Sequence, residues 1–63
     1  MINYKLLSDA IRRRGMSVLD AAEAAGVNPS KLIGSGEFRA SEIVTLSQLL
    51  HLTRQERDKI FFS

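Results

Sequence analysis

The sequence predicts an all-α fold: a compact bundle of about five short helices in one domain over residues 1–63. Apolar residues recur at helical spacing between the marks Gly15, Gly26, Pro29, Gly34, Gly36 and the Leu52-Thr53 junction. Ser, Asn and Thr stand where helix caps belong. No stretch shows the period of two that a half-buried strand requires. With 63 residues and no cysteine, the chain has no disulfide or zinc-type staple, so packed helices must supply the core.

The first helix is expected over Asn3 to Arg14. Tyr4, Leu7 and Ile11 form its apolar stripe, with Leu6 and Ala10 beside them. Arg12, Arg13 and Arg14 suit the negative end of its dipole, and Gly15 follows as a natural stop. Ser17 caps a second helix, Val18 to Ala25, with Asp20 completing a capping box and Gly26 ending it. Asn28 caps a short third helix with Pro29 in its first turn. Glycine is costly inside a helix, so it ends at Ile33 or Gly34, and Ser35 to Arg39 is expected as a loop. The fourth helix covers Ala40 to Leu50, with Ile43, Leu46 and Leu50 inward, Val44 and Leu49 broadening the stripe, and His51 past its end. Thr53 and Glu56 make a capping box for the last helix, Arg54 to Phe61.

Composition excludes several classes. The chain is 44% hydrophobic and 25% charged, which places it among folded rather than disordered sequences. No apolar run exceeds three residues, so neither a membrane span nor a signal peptide is expected; a cytoplasmic protein is. Nine basic residues against seven acidic ones give a net charge of +2, which permits nucleic-acid binding without demanding it. His51 is the single histidine and has no cysteine to share a metal; its expected role is with the last carbonyls of its helix. Asp20 with Glu23, and Glu56 with Asp58, fit helix starts or solvated faces rather than an acid/base pair. Gly34-Ser35-Gly36 lacks the lysine of a phosphate loop. The expectation is therefore no enzyme, no cofactor, no metal site and no small-molecule substrate.

The informative stretch is Ser17 to Leu32. Ala22 is small enough for a second helix to cross closely, and Gly26 accepts the positive φ of a sharp turn. Val27 and Leu32 then point into the wedge. Helix, tight turn and second helix make a helix-turn-helix with core residues Ala22, Gly26, Val27 and Leu32.

Here the chain resembles the phage Cro and repressor-type helix-turn-helix regulators, the XRE family, whose fold is lambda-repressor-like. The resemblance covers nearly the whole chain: Arg14-Gly15-Met16-Ser17, Ala22 with Gly26-Val27, Phe38 with Ser41-Glu42-Ile43, and a tail from Leu49 to Phe62. It implies a phage-encoded or bacterial regulator that sets the start of its third helix, residues 28–33, in the major groove of double-stranded DNA. Two departures stand out. Val18 occupies the place where the family usually carries a phosphate-binding glutamine, and Ile33-Gly34-Ser35-Gly36-Glu37 shortens the recognition helix.

Candidate DNA contacts are Ser17, Asn28, Ser30 and Lys31, with Arg13 and Arg39 on phosphates; Lys31 is the leading one. Against them stand plainer roles: Asn28 as a cap, Lys31 as a surface charge, and the arginines as dipole partners. Val18 and Leu19 at a helix start suggest a patch for a protein partner instead. Two functions thus remain open, a DNA-binding transcriptional regulator and a protein-interaction module on the same scaffold. Phe61 and Phe62 point about 100° apart on a helix, so one is expected to seal the domain and the other to meet a second copy in a weak homodimer.

Overall fold

The computed structural model describes residues 2–34 and 37–62. They form α1 (Tyr4–Arg13), α2 (Val18–Ala25), a 3-10 helix (Pro29–Ile33), α3 (Ala40–Leu49) and α4 (Arg54–Phe61). No strand occurs among the described residues. Of the expected loop Ser35 to Arg39, Ser35 and Gly36 lie outside the described residues.

Helices begin where an oxygen can take an amide that has no partner inside the helix. Asn3 Oδ1 accepts from Leu6 N–H at 3.1 Å, which makes Asn3 the cap rather than the first turn of α1. Ser17 Oγ accepts from Asp20 N–H at 3.1 Å while the Asp20 carboxylate accepts from Ser17 N–H at 3.3 Å. Thr53 and Glu56 make the same reciprocal pair at 3.1 and 3.0 Å. The start of α3 differs. Arg39 has no side-chain acceptor to offer, so only Glu42 reaches back, its Oε1 accepting from Arg39 N–H at 2.8 Å.

The ends of α1, α2 and α3 share one device. An amide just past the helix bonds a carbonyl five residues back, and a left-handed residue lies immediately before it. Met16 N–H reaches the Ile11 carbonyl past Gly15, and Val27 N–H reaches that of Ala22 past Gly26. Leu52 N–H reaches that of Ser47 past His51, whose φ is 53°. The role of His51 is thus a backbone one: it takes the left-handed position that glycine usually fills, ending α3 at Leu49 rather than Leu50. Arg14 likewise flanks α1 instead of continuing it.

The third expected helix is not α-helical. Five residues between Pro29 and Gly34 leave room for few bonds of either kind, and the tighter 3-10 winding is commonly used in such short pieces. At three residues per turn, Pro29 and Leu32 share the inner face, Ser30 and Ile33 a second face, and Lys31 a third.

The core joins Leu7, Ala10 and Ile11 of α1, Ala21 and Ala22 of α2, Val27, Leu32, Leu46 of α3, Leu50, and Ile60 and Phe61 of α4. α1 packs on α2, on α4 and on the 3-10 helix, while α2 also carries α3 and the 3-10 helix. Phe61 sits edge-on to Phe38, ring centroids 5.5 Å apart. Of the two aromatics expected to divide between the core and a second copy, Phe61 is therefore the one that seals the domain, and Phe62 is 62% exposed. Val44, expected to broaden the inner stripe of its helix, is exposed as well. A backbone bond of 2.7 Å from Asn3 N–H to the Ile60 carbonyl ties the start of the chain to its last helix. No helix among the described residues is long and apolar enough to cross a membrane.

Candidate functional site

Of the residues singled out in the sequence, the helix-turn core with Asn28, Ser30 and Lys31 surrounds the turn between α2 and the 3-10 helix, whereas Arg13, Ser17 and Arg39 stand at other helix ends. Ala22 is fully buried and Val27 and Leu32 nearly so. Between them Gly26 has φ 70° and ψ 30°, which folds the chain back so that Val27 and Leu32 both enter the core. The turn presents Asn28 and Ser30 outward. Asn28 Oδ1 accepts from Ser30 N–H at 3.0 Å and from Ser30 Oγ at 2.9 Å. Its oxygen is thus occupied by capping, leaving the two amide hydrogens as its outward donors. Ile33, in line with Ser30, is 70% exposed.

Lys31 departs from expectation. Its ammonium lies 3.0 Å from both carboxylate oxygens of Glu42, with side chains only 24% and 17% exposed. It is neither a free surface charge nor a free ligand for DNA. Arg13 is held in the same manner, 2.7 Å from Glu56 Oε2, though this pair is far more open to solvent. Both glutamates do two jobs. Each occupies the third position of a helix, accepts the backbone amide at its start, and grips a cation from another element.

Ser17 is exposed, but its hydroxyl oxygen is engaged by Asp20 N–H and the Asp20 carboxylate stands at the same helix start. That negative charge uses the positive end of the α2 dipole, which an anion would otherwise find. Val18 turns inward to pack on the core, whereas Leu19 is 65% exposed. Arg39 is exposed, as are Arg12 and Arg14 at the end of α1; among the described residues none of these three makes an ion pair. Arg12 donates to Ser8 Oγ at 3.2 Å. The sequence offered Arg12, Arg13 and Arg14 alike as dipole partners, and the one placed on a phosphate, Arg13, is the one that is paired. No signal in the sequence separates them, because Glu56, the partner of Arg13, lies on α4, 43 residues away.

No family model matches the chain, nor does any curated protein or solved structure.

The two doubly employed glutamates have a measurable signature. The Arg39 amide, then Lys31, hold the Glu42 carboxyl below its ordinary 4.5; the Thr53 amide, then Arg13, do the same for Glu56. Partial desolvation opposes the shift in both without reversing it. A carboxyl whose folded pKa is lowered releases its proton more readily when folded. Its contribution is complete above the unfolded pKa and is lost as pH falls through the folded one. The melting temperature should therefore drop as pH is lowered from about 5 towards 3. Glu42→Gln and Glu56→Gln should each flatten that drop in thermal melts followed by circular dichroism. An equally steep acid limb in the double variant would mean that neither carboxylate is held as described.

Proposed function

We propose that this chain is a DNA-binding transcriptional regulator of the Cro and repressor type, in which α2, the Gly26 turn and the 3-10 helix act as the helix-turn-helix. The observation that carries the reading is the turn itself. A left-handed Gly26 between a buried Ala22 and a buried Val27 sets the start of the following helix outward, and such proteins read base edges with that start. Asn28 offers amide hydrogens, Ser30 a hydroxyl and Ile33 an apolar surface suited to a thymine methyl group. Phosphate contacts fall to Arg12, Arg14 and Arg39, three exposed arginines that make no ion pair among the described residues.

A 3-10 helix of five residues spans about 10 Å, so one copy reaches few base pairs. Specificity then calls for two copies on half-sites about 34 Å apart. Phe62, exposed at the end of α4, is the surface assigned to that weak homodimer. Selection from a random-duplex library at low salt tests the reading. Affinity should fall with salt at a log–log slope of about −0.9 per phosphate, or about −3 to −4 per subunit. Phe62→Ser should lower affinity for paired half-sites more than for one. Absence of binding to any duplex at about 50 mM salt would remove this function.

A second reading, a protein-interaction module on the same scaffold, is favoured by Leu19 and Ile33, which are 65% and 70% exposed. The same selection separates the two. Loss of base preference in Ile33→Ser supports readout of DNA by this residue, whereas unchanged weak binding in Ile33→Ser and Leu19→Ser supports a protein partner.

A further inference from the structure

We propose that Glu42 is an intrachain competitor for phosphate, which withholds Lys31 from DNA and so sets the affinity of the reading face. The inference rests on the DNA-binding reading above and concerns the regulation of that same face. Lys31 is the only basic residue of the 3-10 helix. It stands on the element that would enter the groove, yet both carboxylate oxygens of Glu42 lie 3.0 Å from its ammonium. A DNA phosphate would offer the same ammonium a similar pair of charged oxygens. The two acceptors compete for one cation, and the intramolecular one is always present.

Three features make Glu42 an effective competitor. Its carboxylate is anchored by the Arg39 amide at 2.8 Å, so it does not have to be ordered before it meets Lys31. The pair is largely shielded from solvent, at 24% and 17% side-chain exposure, so salt weakens it less than it weakens an open pair. Arg13 and Glu56, at 60% and 33%, are the open counterpart within the same molecule. Finally, Lys31 occupies its own face of the 3-10 helix, turned towards α3 and away from the line of Ser30 and Ile33. Release therefore means swinging the lysine stem outward, a rotamer change that leaves the backbone in place.

The arrangement allows a clean substitution. Glu42→Gln keeps a carbonyl oxygen for the Arg39 amide, since glutamine serves in capping boxes as glutamate does, but removes the charge that grips Lys31. The experiment measures binding of the full chain to a mixed-sequence DNA duplex of about two helical turns across a salt series, by fluorescence anisotropy. Four proteins are compared: the parent, Glu42→Gln, Lys31→Met and the double variant, each first checked by a thermal melt. Glu42→Gln should bind about threefold to tenfold tighter than the parent and steepen the log–log salt slope by about 0.9, the mark of one added phosphate contact. Introduced into Lys31→Met, the same change should give neither the gain nor the steeper slope.

A gain that persists without Lys31 overturns the proposal, because it would come from net charge alone. Parent and Glu42→Gln binding equally, with the parent bound, overturns it while leaving the DNA-binding reading intact. If none of the four proteins binds the duplex at about 50 mM salt, the DNA-binding reading falls and this inference falls with it.

Discussion

Leu46→Ala is expected to remove a large share of the stability of the fold. Leu46 is fully buried in the middle of α3, and α3 packs on α2. Truncating such a leucine costs about 2–5 kcal/mol through lost burial and the cavity left behind. A domain of this size has only about 3–9 kcal/mol in total. The melting temperature should fall by roughly 8–40 °C, at about 4–8 °C per kcal/mol. Val44→Ala, two residues earlier on the same helix and 52% exposed, should change it by a few degrees at most. Equal shifts for the two variants would mean that α3 presents a different face to the core.

The second large effect is expected at the turn. Gly26→Val should destabilise the fold by more than the roughly 1–2 kcal/mol that a left-handed conformation costs an ordinary L-residue, because β-branching tightens the restriction. A Cβ at Gly26 would meet no atom within 4 Å, so the whole penalty is in the backbone. Gly26→Ala should accordingly show the roughly 1–2 kcal/mol alone. Ala22→Leu works by the opposite route. It adds volume at a position with no exposure and should cost about 1–3 kcal/mol by forcing α2 from its neighbours. Thermal melts of the three variants check all of this together. A Gly26→Ala protein as stable as the parent would show that the turn is not held at positive φ.

Most of the fold was legible because its signals are local. Ser17 with Asp20, Asn28 with Pro29, and Thr53 with Glu56 each mark a helix start within four residues. Glycine marked three of the helix ends, at Gly15, Gly26 and Gly34. The end of α3 escaped because a residue with a side chain takes the left-handed conformation far less readily than glycine, and no side-chain property of His51 announces it. The 3-10 winding of Pro29–Ile33 escaped as well: over five residues the two helix types bury the same leucine, Leu32. Angular arithmetic separated Phe61 from Phe62 but could not say which faced inward, since that depends on where α4 docks.

The candidate site was less legible, and for one reason. The partners of Lys31 and Arg13 lie on other helices, 11 and 43 residues away, so a sequence shows the cations without what neutralises them. Basic residues that look equivalent in the sequence divide into held and free. Sequence reasoning chose Lys31 and Arg13, both held, along with Arg39, which is free of ion pairs among the described residues.

The bond from the Asn3 amide to the Ile60 carbonyl gives this small protein a built-in reporter. Its two residues lie almost a whole chain apart, so the Asn3 amide is freed only when the start of the chain leaves α4. Breaking the bond requires the first segment to part from α4. In deuterated solvent the Asn3 amide should therefore exchange at the rate at which the ends separate. The amides of α2 should wait for the rarer event in which the core opens. If the two classes exchange together, the whole molecule opens as one unit. If Asn3 leads, the start of the chain parts from α4 before the core opens, and the turn that carries Asn28 and Ser30 outlives that contact.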